Sequence, residues 1–350
     1  MAYLPPSQHQ YLVGHQAAIA QLKKSFDAQH LHHAIILAGP VGIGKETLAW
    51  QFMRYALAYP QGNAAQRDLS VPEEHKAIRQ ILAGSHPHVF VIEPVYDEKK
   101  QRFKRDITLA ALDGLNNFLR LAPTEDAPRF ILINPADGMN TQTQNALLKL
   151  LEEPPANTHF LLLATQLGSV LPTIRSRCMT IALEPLALGD FNQVIQRLQP
   201  AFDDFKLEPY FHLSEGAPGL ALQNEQIGLF EGYGDLCRVI LQWVEEGESQ
   251  PAMRFAEEHA KDDLLSDRLV EILLSRMALF LKSRLSGRAM TSIIPEEERL
   301  LAVWAGIPEG RILALYDQIT ALWQSAENGY LDRKLILLQI IGLLSQPLSV

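Results

Sequence analysis

The residues whose types and spacing bear most directly on chemistry are Gly39-Pro40-Val41-Gly42-Ile43-Gly44-Lys45-Glu46-Thr47, which follow the apolar run Ala34-Ile35-Ile36-Leu37-Ala38. Two glycines framing four residues, then a lysine, is the pattern of a phosphate-binding loop, provided that a strand precedes it and a helix follows. Small residues such as Gly39, Gly42 and Gly44 let successive backbone N–H groups converge on phosphate oxygens at a helix N-terminus, and Lys45 adds a point charge. The pattern breaks next to Lys45, where Glu46 stands in place of the hydroxyl that would hold magnesium. A carboxylate there faces phosphate oxygens instead. The run is consistent with hydrolysing a nucleotide, with only binding one, or with keeping the shape of a site.

Hydrolysis on such a scaffold also requires an aspartate at the end of the third strand for the metal, with a glutamate beside it to orient water. Here Phe130-Ile131-Leu132-Ile133 runs into Asn134-Pro135. An amide cannot neutralise a metal ion, and proline carries no side-chain base. Asp137 lies further on, out of register and followed by Gly138. Thr165, at the end of the fourth strand, suits the reading of a γ-phosphate and equally suits an ordinary strand-end hydroxyl. In Leu213-Ser214-Glu215-Gly216-Ala217-Pro218-Gly219-Leu220-Ala221, Gly219 and Leu220 occupy the positions at which a lid arginine would sense phosphate.

One constellation points outward. Leu171-Pro172-Thr173-Ile174-Arg175-Ser176-Arg177-Cys178 precedes the fifth strand. An arginine on a loop directed away from its own site is how one subunit serves the γ-phosphate of its neighbour. Two surface arginines making salt bridges are the plain alternative. The basic run Lys99-Lys100-Gln101-Arg102-Phe103-Lys104-Arg105 reads either as a phosphate-contacting loop or as a solvated turn.

These residues need a scaffold, and periodicity supplies its outline. A helix is expected within residues 12–32, then a strand at 34–38, a helix from 48, a polar loop at 60–72, and strands at 89–92, 129–133, 159–164 and 179–183. Helical patterns cover 107–121 and 140–152, the latter stopped by Pro154-Pro155. Strands alternating with helices predict a doubly wound parallel sheet with ligands at the carboxyl ends of its strands. Beyond Glu184-Pro185 the pattern turns helical, at 188–222, 236–244, 264–285, 311–324 and 332–344. The acidic residues Glu245, Glu246, Glu248, Glu257, Glu258, Asp262 and Asp263 read as a solvated face.

Length and composition set the outer limits. A chain of 350 residues is long enough for two or three domains. A net charge of -9 and a pI near 5.7 argue against a protein that coats nucleic acid by itself. Two cysteines, Cys178 and Cys237, are too few for a disulfide scaffold or a four-cysteine zinc site, so a reducing, cytoplasmic setting is expected. The N-terminal residues lack the basic and apolar regions of a secretory signal, and the apolar stretch 335–344 is half the length of a membrane span, so no membrane partner is expected.

Three runs, Gly39 to Thr47, Asn145-Ala146-Leu147-Leu148-Lys149-Leu150-Leu151-Glu152-Glu153-Pro154-Pro155, and Ile174-Arg175-Ser176-Arg177-Cys178, together resemble the clamp-loader branch of the AAA+ ATPases. The resemblance covers residues 10–225 by motif and the remainder by architecture. It implies an AAA+ α/β nucleotide-binding-like domain at 1–185, a helical lid at 186–226 and an all-α collar at 227–350 that holds a hetero-pentamer together. It implies a subunit of a bacterial replicative DNA polymerase complex that lacks ATPase and polymerase activity itself. Its partners would be ATPase subunits of the gamma/tau kind and a delta subunit, with the sliding clamp and primed DNA met indirectly through the complex. Arg177 would be the arginine finger acting in trans, with Ser176 and Cys178 as the interface motif around it. The zinc-binding cysteines common in such proteins are absent from 57–88, so no zinc is expected; no cofactor is required, and the retained Lys45 leaves ATP or ADP binding possible. An ATP-hydrolysing motor subunit is the alternative, and it would need an Asp-Glu pair after strand three, which this sequence lacks. A P-loop small-molecule kinase would need lid arginines, where 188–222 offers only Arg197.

Overall fold

The computed structural model describes residues 5–9, 11–94, 96–97, 102–103, 106–120, 127–287, 290–327 and 332–345. The chain divides into two compact units, one of residues 1–200 with 216–219, the other of residues 201–215 with 220–350.

The first unit is built on a parallel sheet of β1 (Ala34–Ala38), β2 (Val89–Ile92), β5 (Arg129–Ile133), β6 (Thr158–Ala164) and β7 (Met179–Ala182), in the order β2-β5-β6-β1-β7. Two further strands, β3 (Tyr96–Asp97) and β4 (Arg102–Phe103), pair antiparallel in a separate hairpin. The strands β1 and β5 are buried at every position, which explains why they read as unbroken apolar runs rather than alternating ones: helices cover both faces. On one face Ile36, Ile131, Ile133, Phe160 and Leu162 pack with Leu147 and Leu151. On the other, Phe52 stands edge-on to both Phe26 and Phe130, with centroids 5.8 and 5.9 Å apart. Register places Ala38 beside Ala164 and Ala182, so the ends of β1, β6 and β7 lie side by side. This is the expected fold class.

The helices of this unit are α1 (Gln16–Asp27), α2 (Lys45–Ala58), α3 (Lys76–Leu82), α4 (Leu115–Arg120), α5 (Thr141–Glu152), α6 (Pro172–Arg175) and α7 (Leu188–Leu198). Asn140 caps α5 by accepting from the Thr143 amide at 2.9 Å, and the chain leaves the helix just before Pro154. The expected helix across 107–121 is instead a 3-10 turn at Leu109–Leu112 followed by α4. Between them Gly114 lies against Phe90, whose ring carbons would stand 3.0 Å from an added Cβ, so a larger residue would be crowded at this bend. Of the basic run, Arg102 and Phe103 form β4; Lys99, Lys100, Gln101, Lys104 and Arg105 lie outside the described residues.

In the second unit every described element is a helix: α8 (Asp204–Leu213), most of α9 (Pro218–Gln226), α10 (Leu229–Glu246), α11 (Gln250–His259), α12 (Asp263–Ser286), α13 (Pro295–Ala305), α14 (Glu309–Glu327) and α15 (Arg333–Ser345). Its core contains a satisfied charge network. Glu297, 1% exposed, accepts from Arg276 Nε at 2.5 Å, from the Tyr233 hydroxyl at 2.9 Å and from the Ile293 amide at 2.6 Å. The acidic residues between α10 and α12 are exposed, but several are also ties: Glu245 pairs with Arg299, Glu257 with Lys334 and Asp263 with Arg333. Among the described residues no helix is long and apolar enough to cross a membrane.

Candidate functional site

The glycine-rich run takes the place its pattern requires. It leaves the carboxyl end of β1, where Gly39 N–H donates to Ala164 O at 3.1 Å, and enters α2 through Gly44, the helix N-cap. Gly44 has φ of 103°, a left-handed conformation that a residue with a Cβ adopts only under strain. Lys45 follows as the first residue of α2 and Thr47 lies in the same turn, half-buried.

The Lys45 side chain turns back into the loop. Its Nζ donates to Gly39 O at 2.6 Å, to Pro40 O at 2.7 Å and to Thr165 Oγ1 at 3.3 Å. Burial lowers its pKa to about 8, against an opposing pull from the Asp137 carboxylate. Asp137 itself is committed elsewhere: it accepts from the amides of Thr165, at 3.1 Å, and Gln166, at 2.7 Å, and so fixes the turn leaving β6.

Glu46 meets Asn134 directly. Its Oε2 accepts from Asn134 Nδ2 at 2.8 Å while Oε1 accepts from Trp50 Nε1 at 3.1 Å, and burial lifts its pKa above the usual carboxylate range. These two positions, one after the lysine and one after β5, are those from which a P-loop enzyme holds magnesium. Here a side-chain hydrogen bond spans the gap, and the amide turns a donor toward it. Pro135, next in line, offers no base. The residues present therefore do not fit a magnesium ion, although Lys45 and the loop backbone retain the elements of a phosphate cradle.

Two more groups close over the loop. Gly219 N–H donates to Gly42 O at 2.9 Å, and a Cβ on Gly219 would stand 2.9 Å from Gly42 Cα, so only glycine allows this approach. His15 also meets the loop, with Nε2 2.9 Å from Ile43 O, and burial lowers its pKa. Neither His15 nor Trp50 stands out in the sequence, because a lone histidine before a helix and a tryptophan on an apolar face carry no motif.

Arg177 is elsewhere. It follows the four-residue helix α6, and its Nη1 donates to Thr173 O at 2.9 Å and to Ser176 Oγ at 3.4 Å. Its Nη2 lies 2.8 Å from Glu152 Oε1, with the arginine side chain 37% exposed. Cys178 is half-buried, and burial pushes its thiol up to about 12, which keeps it protonated and unreactive. Among the described residues no contact joins Arg177 to Lys45, Glu46, Asn134 or Thr165. The structure thus gathers Gly39, Gly42, Gly44, Lys45, Glu46, Asn134 and Thr165 into one place and leaves Ser176, Arg177 and Cys178 in another.

Residues 14–187 match the family described as DNA polymerase III, delta subunit. The chain is 35% identical over 218 residues to the DNA polymerase III subunit delta-prime of Pseudomonas aeruginosa, covering 60% of this chain and 63% of that protein. It is 28% identical over 233 residues to the subunit of the same name from Escherichia coli, covering 65% of each. Both matches span slightly under two thirds of the relative's length. A solved structure of a DNA polymerase III gamma subunit-related protein from Thermotoga maritima aligns over 96% of this chain and all of that one, with 15% identity and a TM-score of 0.38. By its motifs and these relatives, the chain belongs to the DNA polymerase III delta-prime family.

Proposed function

We propose that this chain is a clamp-loader subunit that hydrolyses no ATP itself and completes the ATP site of the adjacent motor subunit with Arg177. In this reading it takes part in opening a sliding clamp and placing it on primed DNA, within a hetero-pentamer of gamma/tau-type ATPases and a delta subunit in the cytoplasm. The lid at 186–226 and the collar at 227–350 are part of the same proposal. The observation that carries it is the Glu46–Asn134 hydrogen bond, which takes the place of the two metal ligands that hydrolysis demands. A subunit so altered, yet keeping a partly exposed arginine in the Ser176-Arg177-Cys178 turn, is suited to serve a site it does not own. No cofactor and no zinc are required. Any nucleotide on the loop would be held through Lys45 without magnesium.

The test is ATP turnover by the isolated chain and by a reconstituted loader carrying Arg177→Ala. No turnover is expected from the chain alone, and a loss of about 10³-fold or more from the loader. Robust hydrolysis by the isolated chain, abolished by Lys45→Ala, would establish the motor-subunit alternative instead.

A further inference from the structure

Helix α5 ends on Glu152, with Glu153 as its C-cap. Carboxylates at this end face the negative pole of the helix dipole, so two in succession are locally unfavourable. A local choice that opposes its own element points to a partner in the tertiary structure. For Glu152 that partner is Arg177, 2.8 Å away. The pair is too exposed to matter much for stability, at 37% and 50% of the two side chains. Its consequence is geometric.

The guanidinium is held from two directions. Nη1 bonds back to Thr173 O, and to Ser176 Oγ, which is itself fixed by Thr173 O at 3.0 Å. Nη2 is drawn toward α5 by Glu152. An arginine fork carries five N–H donors, and the hydrogen bonds from Nη1 engage two of them. Nε and Nη2 donate no hydrogen bond among the described residues, Nη2 meeting Glu152 as an ion pair, while the side chain's long stem is no longer free to wander.

We propose that Glu152 is a positioning residue: it holds Arg177 over the α6 turn so that the remaining donors meet an oxyanion on the neighbouring subunit. This rests on the reading of Arg177 as a finger given above. Because Glu152 holds the guanidinium as an ion pair, the Nε and Nη2 N–H groups are left to donate to the phosphate. A residue that removes the wandering of an arginine acts on the rate of the step that arginine serves, and leaves nucleotide affinity alone.

The experiment uses the full loader assembled with its partner subunits and carrying Glu152→Ala, Glu152→Gln or Arg177→Ala, with ATP hydrolysis followed at varied ATP. Glu152→Ala is expected to lower kcat by on the order of 10-fold to 10²-fold with KM changed by less than about 2-fold. Glu152→Gln, which keeps the shape of the side chain but loses the charge that pairs with Nη2, is expected to lower kcat about as far as Glu152→Ala. Removing a carboxylate from a helix C-terminus does not threaten folding, so the melting temperature of the isolated chain should hold or rise. A wild-type or increased kcat in Glu152→Ala, alongside an inactive Arg177→Ala loader, overturns the positioning role and leaves the finger standing. A loader indifferent to Arg177→Ala overturns the finger itself.

Discussion

Lys45 and Arg177 belong to the same α/β unit and to motifs of the same family, yet they sit in opposite surroundings. Lys45 is 9% exposed and donates to carbonyls of its own loop, with its pKa lowered to about 8. Arg177 is 37% exposed and holds one half-exposed carboxylate. The loop has become a closed set of hydrogen bonds in which Glu46, Asn134, Thr165 and Gly219 all answer to groups inside the chain. The α6 turn keeps a cation at the surface with donors to spare. At the loop the polar groups are turned inward and bonded within the chain, whereas at the α6 turn part of the guanidinium makes no hydrogen bond among the described residues.

The comparison breaks first at Arg177. Arg177→Ala is expected to cut ATP turnover of the assembled loader by about 10³-fold or more, with no loss in the urea midpoint of the isolated chain. A fall in stability would make Arg177 as structural as Lys45.

On the loop side the expected effects are reversed. Gly219→Ala forces a methyl against Gly42 and should cost about 1–3 kcal/mol in urea unfolding, even though alanine suits a helix better than glycine, with loader turnover unchanged. Lys45→Met keeps the length of the side chain but leaves Gly39 O and Pro40 O without their donor. A loss of about 1–2 kcal/mol by the same measurement, again without loss of turnover, would mark Lys45 as a structural group.

The smallest effect sharpens the same point through pH. The unfolded chain holds the Lys45 proton up to about 10.5, whereas the folded chain releases it near 8. Between those values the unfolded state binds more protons, so this group makes stability rise with pH, and that gain is lost as pH falls through 8. Subtracting Lys45→Met from wild type at pH 8 and pH 10 should expose that slope; equal differences at the two values would place Lys45 in water.

Much of the scaffold was readable from residue types. All five strands of the main sheet lie where apolar runs predicted them; in β1 and β5 burial at every position leaves no room for polar alternation, while the edge strands β2 and β7 are only partly buried. Helix α11 escaped a reading that took Glu245 to Asp263 as an acidic surface, and α13 was given no element, although Pro251 and Pro295 in their first turns are start signals. The packing partner of each helix is another thing the pattern leaves open. Helices α7 and α8 are consecutive and both look like parts of one small unit, but α7 belongs with the sheet and α8 with the helices of the second unit. Their amphipathic patterns say that each must bury a face and not against what.

By itself the sequence determined which chemistry is missing. No arrangement of Glu46, Asn134 and Pro135 restores a hydroxyl, an aspartate and a glutamate, because side-chain type is a local property. Only the tertiary structure decided what those residues do instead. Glu46 and Asn134 stand 88 positions apart and bond at 2.8 Å because β1 and β5 run parallel in one sheet. Gly42 meets Gly219, and Arg177 meets Glu152, through the same kind of long-range placement. A hydrogen bond acts over about 3 Å and in one direction. Which partners fall within that reach is set by how strands are ordered and helices packed, and no run of neighbouring residues records it.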